Sequence, residues 1–263
     1  MATYTVPDLL YDYGALEPHI SGRIMELHHN THHASYVKGA NAALDRLAEA
    51  RYGGQYDNIA GLERALSFNL SGHVLHSIFW KNMAPKAGGR PYGELASAIA
   101  NDFGGFARLK KQINAVAASI MGSGWAALVW EPLGRKLLVT QIYDHQSNLA
   151  QAGTPLLVLD AWEHAFYLQY QNRKTEFFDA VWNLWDWEDV SARFNLARAT
   201  GAEDGVPGQS EDRKSAARRP YPQEDLDITQ STRRRPDGRR APLAAAAPAE
   251  PRQPAAERKP LFS

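Results

Sequence analysis

The 263-residue sequence contains no cysteine. Disulfides, thiolate metal sites and cysteine nucleophiles are therefore excluded, and any transition metal must be held by imidazole and carboxylate. There is no surplus of charge: 29 Lys and Arg stand against 29 Asp and Glu. A whole-molecule field that draws in nucleic acid or anionic membrane needs an excess of one sign, so those functions lose their simplest basis. No apolar run approaches the ~18 residues that a membrane span requires. The N-terminus, Met1-Ala2-Thr3-Tyr4, shows no basic region followed by an apolar stretch, so no secretory signal is visible. The expectation is a cytoplasmic protein.

What is present is unevenly placed. All nine histidines and all seven tryptophans precede residue 200, whereas nine of the 15 prolines lie in 201–263. The first 200 residues carry the core-forming side chains and are enough for a sizeable core. The remainder has no apolar period, contains Arg233-Arg234-Arg235 and Arg239-Arg240, and is rich in Pro and Ala. It reads as a disordered tail. Its basic clusters are interspersed with acids and lack an aromatic platform, so contact with nucleic acid is conceivable only there and a solvated tail is the plainer reading.

Hydrophobic periodicity predicts a helix over 16–49 with Pro18 in its first turn, closed by Gly53-Gly54. A second helix follows over 60–82, giving an antiparallel helical hairpin. Helices over 92–102 and 106–121 come next. The period then changes. Trp125–Trp130 and Lys136–Ile142, separated by a turn at Gly134, read as a hairpin, and Leu156–Leu159 as a third strand. Asp160 is expected to end that strand and open a helix through Gln171, followed by helices near 174–183 and 187–198, the last capped by Asp186. The class is α+β: an N-terminal antiparallel helical hairpin domain (1–88), a C-terminal domain with a small three-stranded antiparallel sheet flanked by helices (89–200), and the tail (201–263).

Three segments concentrate metal-binding side chains. The first has four histidines in six positions, His28, His29, His32 and His33. On an α-helix His28 and His32 lie about 40° apart, with Tyr36 one turn on, and His29 and His33 form a second row. Spacing alone does not say which row is functional. The second places His76 on one face with Phe79 and Trp80, which favours a desolvated, neutral imidazole, the form that binds metal. The third offers Asp160 and His164 at i, i+4 on one helix face, a spacing that can chelate one ion. Three imidazoles and one carboxylate suit Mn, Fe or Zn. The HExxH signature of zinc hydrolases is missing, and only one Glu-x-x-His spacing occurs, where a di-iron bundle needs two.

Four strings in order now fit one family: Met25–Tyr36 with its histidines, His73–Trp80, Gly122-Ser123-Gly124-Trp125-Ala126, and Asp160–Tyr167. Together they resemble the iron/manganese superoxide dismutases over about residues 3–197; the tail has no counterpart in the typical member. The resemblance implies a superoxide-disproportionating enzyme with one Mn or Fe ion per subunit, held by His28, His76, Asp160 and His164 with a water or hydroxide as fifth ligand. It places His32 and Tyr36 along the substrate funnel and Trp80, Trp125 and Trp162 around the metal. His145 falls where most members carry a Gln that bonds the coordinated solvent, though a branch of the family has His. Gly72 matches the manganese-type pattern and leans the metal towards Mn. Glu163 and Tyr167 fall where the family reaches across to a partner subunit, implying a homodimer or homotetramer, and Arg173 matches a basic residue at the funnel mouth. Thr31 departs from members with Lys there. Because an imidazole changes charge near neutral pH and an amide does not, His145 is expected to alter both redox potential and pH profile. Two rival readings share the same residues: an inactive scaffold that only binds metal or, by its tail, nucleic acid, and a zinc hydrolase.

Overall fold

Ser21 opens the first helix in the computed structural model, which describes residues 3–203. Its hydroxyl accepts from the Ile24 amide at 3.3 Å, an N-cap bond that satisfies one orphan donor of the first turn. The helix expected from residue 16 therefore begins later. Leu16 closes a short 3-10 turn (Tyr13–Leu16), and Pro18 lies in the connection. The tail expected over 201–263 lies, from residue 204 onward, outside the described residues.

Helix α1 (Gly22–Leu27) widens into a π-turn over His28–His33 and resumes as α2 (Ala34–Gly53). The wider turn brings residues five apart onto one side. His28 and His33 therefore face inward together with His29, all three buried, while His32 is partly exposed. The two separate rows expected from α-helical spacing do not survive this widening. Gly54, at φ 64°, ends α2 in the left-handed conformation that glycine adopts without steric cost. Helix α3 (Ile59–Asn82) then packs back along α2.

Helices α4 (Gly93–Phe103) and α5 (Phe106–Ser119) lead into strands β1 (Gly124–Glu131), β2 (Lys136–Tyr143) and β3 (Thr154–Asp160). The sheet order is β2-β1-β3, antiparallel throughout, as the sequence pattern leads one to expect. In register, Trp125 opposes both Ile142 and Asp160. The start of β1 and the ends of β2 and β3 thus meet at one end of the sheet, and the site lies there.

The single helix expected over 160–171 is not formed. Asp160 is the last residue of β3, and its Oδ1 accepts the Trp162 amide at 2.9 Å. That side-chain bond supplies the backbone with an alternative to a helical turn. A 3-10 turn (Glu163–Ala165) and the short α6 (Tyr167–Tyr170) follow. A turn, rather than a helix face, brings Asp160 and His164 together. Helices α7 (Lys174–Val181) and α8 (Trp187–Glu203) complete the described chain. Asp186 caps α8 as expected, its Oδ1 accepting from the Glu188 amide at 2.9 Å.

Asn82, fully buried at the end of α3, joins the two halves. Strand β3 is an edge strand, and its open side would leave backbone groups unpaired. The Asn82 amide takes the place of a neighbouring strand: Oδ1 accepts from Val158 N at 3.0 Å and Nδ2 donates to Leu156 O at 3.0 Å. Nδ2 also reaches Asp189 Oδ2 on α8 at 2.9 Å. Around it one apolar core runs from Ile24 and Met25 through Phe79 and Trp125 to Trp185 and Phe194. No helix among the described residues is long and apolar enough to cross a membrane.

Candidate metal centre

The π-turn delivers His28, α3 delivers His76, the end of β3 delivers Asp160, and the turn after it delivers His164. Asp160 divides its carboxylate between two tasks. Oδ1 is held by the Trp162 amide, and Oδ2 faces three imidazoles: His28 Nε2 at 3.1 Å, His164 Nε2 at 3.2 Å and His76 Nε2 at 3.8 Å. One donor atom from each of the four residues lies within 4.8 Å of all the others.

The set fits a metal ion on grounds internal to the fold. His28 Nε2 and His76 Nε2 are buried and make no hydrogen bond, although buried polar atoms are otherwise almost always paired. His76 Nδ1 donates to the Gly72 carbonyl at 2.6 Å. A carbonyl only accepts, so the proton sits on Nδ1 and the Nε2 lone pair is free to ligate. Burial, reinforced by neighbouring His164, lowers the His28 pKa to about 4. Burial likewise holds His76 well below the ordinary histidine range. Burial also opposes charge on Asp160, but the pull of His164 and the contacts from His164 and His28 outweigh it and keep the carboxyl well below the usual carboxylate range. Neutral His28 and His76 beside an ionised Asp160 are donors needing no deprotonation at neutral pH.

Three of the four donor residues are sealed; His164 alone keeps some side-chain exposure, 10 %. Solvent therefore meets the set on that side, between two partly exposed rings stacked against His164. His32 lies on it at 4.4 Å and 20°, Trp162 at 5.3 Å and 24°. Trp162 also stacks on His145 at 4.5 Å and 9°, and Tyr36 meets His145 edge-on at 4.5 Å. Trp80 stands edge-on to His28 at 4.8 Å and Trp125 to His76 at 5.0 Å. A Cβ at Gly72 would lie 2.9 Å from Tyr36 Cγ and 3.3 Å from His145 Cδ2, so glycine makes room for both rings.

His145 behaves differently from its expected charge-switching role. Trp125 Nε1 donates to His145 Nδ1 at 3.0 Å, which leaves the ring proton on Nε2. Burial lowers its pKa to about 4. The ring thus stays neutral around pH 7 and presents a fixed N–H whose nitrogen is buried without a partner. Burial, then the charges of Asp160 and Asp144, push the Tyr36 phenol above its ordinary range.

Some participants escaped the sequence reading. Phe68 lies 4.9 Å from His145 and 5.8 Å from Tyr36; eight residues before His76 on α3, it shares the i, i+4 row that runs through Gly72 to His76, and that spacing was the available signal. His33 accepts from Trp80 Nε1 at 2.9 Å and so donates from Nε2 to His73 Nδ1 at 2.8 Å. His29 Nε2 donates to the Pro7 carbonyl at 2.8 Å. These histidines brace the site's wall, and only the π-turn makes that legible. Glu163 and Tyr167 are exposed, Glu163 beside a cavity of about 440 Å³ shared with His164 and Lys174. Arg173 is exposed and paired with Glu176, Nε to Oε2 3.2 Å.

With this geometry in hand, comparison with known proteins is direct. Residues 3–84 match the model of the alpha-hairpin domain of iron/manganese superoxide dismutases, and residues 91–193 match the model of their C-terminal domain. The Fe superoxide dismutase of Mycobacterium tuberculosis is 55% identical over 206 residues, 78% of this chain and 99% of the relative. The Mn/Fe superoxide dismutase of Propionibacterium freudenreichii subsp. shermanii is 57% identical over 199 residues, 75% and 99% of the two chains. The Mn superoxide dismutase of Nocardia asteroides is 54% identical over 197 residues, 75% and 95%.

Proposed function

Because the chain belongs to the iron/manganese superoxide dismutase family, we propose that its disproportionation of superoxide takes place at His28, His76, Asp160 and His164, which hold one Mn or Fe ion in each subunit. The reaction converts two superoxide anions and two protons to dioxygen and hydrogen peroxide. The single observation that carries the assignment is the convergence of four donor atoms within 4.8 Å, two of them buried nitrogens with no other partner. An ion held there would supply the redox couple that the disproportionation needs.

The chain's own groups do the rest. The Gly72 carbonyl fixes the His76 tautomer, and the Trp162 amide fixes the Asp160 carboxylate. His145 Nε2–H and the Tyr36 hydroxyl are the proton-bearing groups beside the ligands, and both are held in that form by burial. His32 and Trp162 border the way in. Arg173 adds a local positive charge at the mouth, weakened by Glu176. Mn ahead of Fe follows from Gly72, which matches the manganese-type pattern; the named relatives include both metals. We also propose a homodimer or homotetramer with Glu163 and Tyr167 at the subunit interface, and cytoplasmic residence. The domain limits 1–88 and 89–200 stand as part of the same reading.

Metal content of natively purified protein, with activity after reconstitution with each metal, tests the assignment. Activity with Mn or Fe and none with Zn is expected. Activity with Zn alone overturns it.

A further inference from the structure

We infer that His33 is a positioning residue for the metal centre: a one-way chain of hydrogen bonds, from Trp80 through His33 to His73, holds the indole that stands edge-on to His28. This rests on reading His28, His76, Asp160 and His164 as the ligand set.

The placement follows from the π-turn and α3. His73 and Trp80 lie two turns apart on one side of α3. The π-turn brings the fully buried His33 ring against both of them. The same ring stacks on His76 at 5.4 Å and 23°. His33 therefore lies directly against one metal-binding imidazole. It reaches another, His28, through Trp80, whose ring stands 4.8 Å from it at 83°.

The direction of the chain is set by chemistry. An indole N–H only donates, so His33 Nδ1 accepts from Trp80 Nε1 at 2.9 Å. The proton of the neutral His33 ring is then on Nε2, which donates to His73 Nδ1 at 2.8 Å. Ser77 Oγ, 3.4 Å from that nitrogen, donates to the His73 carbonyl at 2.8 Å and leaves Nδ1 to His33. The outer end is anchored too. Tyr4 lies against His73 at 5.5 Å, and the Asn41 amide holds the Tyr4 backbone N–H and carbonyl at 2.9 Å each. Indole has no acceptor to receive a proton, so the chain orients Trp80 and conducts nothing past it. Without the His33 ring the buried indole N–H loses its partner, and no polar contact fixes its angle to His28.

The test uses the full-length, Mn-loaded enzyme as wild type, His33→Leu, His33→Gln and His73→Leu. Leucine fills space without a polar atom, whereas the Gln amide offers an acceptor and a donor, as the neutral ring does. Two quantities are read: the rate of Mn loss to excess EDTA, and the zero-field splitting of bound Mn(II) by EPR, which reports ligand geometry. His33→Leu is expected to lose Mn about tenfold faster, the lower end of what an outer partner of a ligand contributes, with an altered splitting. His33→Gln should return both quantities towards wild type, and His73→Leu should move both in the direction of His33→Leu. Faster loss with an unaltered splitting marks a merely structural role and overturns the inference. So do unchanged values, or a Gln variant as defective as the Leu variant. If His33→Leu does not fold, His73→Leu against wild type carries the same outcomes, because His73 is half-buried and its ring packs on Tyr4 and His33. Wild-type protein that takes up neither Mn nor Fe contradicts the underlying site assignment instead.

Discussion

Replacing Asn82 by alanine isolates what holds His76 and Asp160 in register. Asn82 ends the helix that carries His76, and its side chain closes the open edge of the strand that ends in Asp160. The substitution removes the acceptor for Val158 N and the donor for Leu156 O, both in a fully buried setting. Each orphaned backbone group costs about 1–3 kcal/mol. Asp189 loses one partner but keeps Arg193 Nε at 2.7 Å, so that end adds little. The sum is about 2–6 kcal/mol, a large share of the ~5–15 kcal/mol that stabilises a typical domain. Urea unfolding at fixed protein concentration, with an unchanged slope, reads this loss directly. Metal retention should fall in parallel, because α3 and β3 then shift against each other. Asn82→Asp should be worse than alanine: it keeps the acceptor but puts a charge beside Leu156 O and Asp189. A loss under about 1 kcal/mol in Asn82→Ala would show that the amide is not a structural substitute for a strand, and the reasoning would fall.

Other consequences are separable from this one. His76→Ala and Asp160→Ala should each abolish metal binding and activity together; full occupancy by elemental analysis in either would refute the ligand assignment. His145→Gln should keep its metal content but shift the midpoint potential, by a similar amount from about pH 6 to 8 because the imidazole it replaces is already neutral there; an unchanged potential sinks that role. Metal-free protein should lose stability on mild acidification. His28 and His145 are held down to about pKa 4 and His33 to about 3, in each case chiefly by burial, against an ordinary value of 6.5. Depressed folded values mean that the unfolded chain takes up protons first. The stability is therefore complete above about pH 6.5 and erodes towards pH 4, by about 2 kcal/mol per ring at pH 5. A urea midpoint that is the same at pH 7 and pH 5 contradicts it.

How much of the centre was legible in the residues depends on whether a donor's position is set locally. His76 was legible in outline: it shares a helical face with Phe79 and Trp80, and α3 is a regular helix whose period is visible. The strands were legible because short, apolar, β-prone runs bounded by turn residues mark them without help from elsewhere. His28 was not resolved from His29 by spacing. The choice came from the family's motif, because a π-turn changes which residues share a side and no local pattern announces it. The same turn buries His33, whose ring is then available to brace Trp80. Asp160 and His164 do come together, but not for the reason their spacing suggests. Their i, i+4 spacing suggested a helix, whereas the Asp160 carboxylate bonds the Trp162 amide and keeps the segment out of one.

That difference bears on how such a centre tolerates change. A pair held on one helix would keep its geometry as long as the helix persisted. Here Asp160 is placed by its register with Trp125, and that register depends on β3 staying paired with β1 on one side and Asn82 on the other. Trp125 in turn donates to His145, so the strand that aligns the carboxylate also fixes the tautomer of the nearest proton-bearing ring. Substitutions that loosen the sheet end should therefore disturb potential and metal retention together, even where they touch no ligand. Ligand substitutions are instead expected to remove the metal outright, and His145 substitutions to alter the potential with the metal in place. The three patterns separate positioning, ligation and tuning as distinct physical tasks of one site.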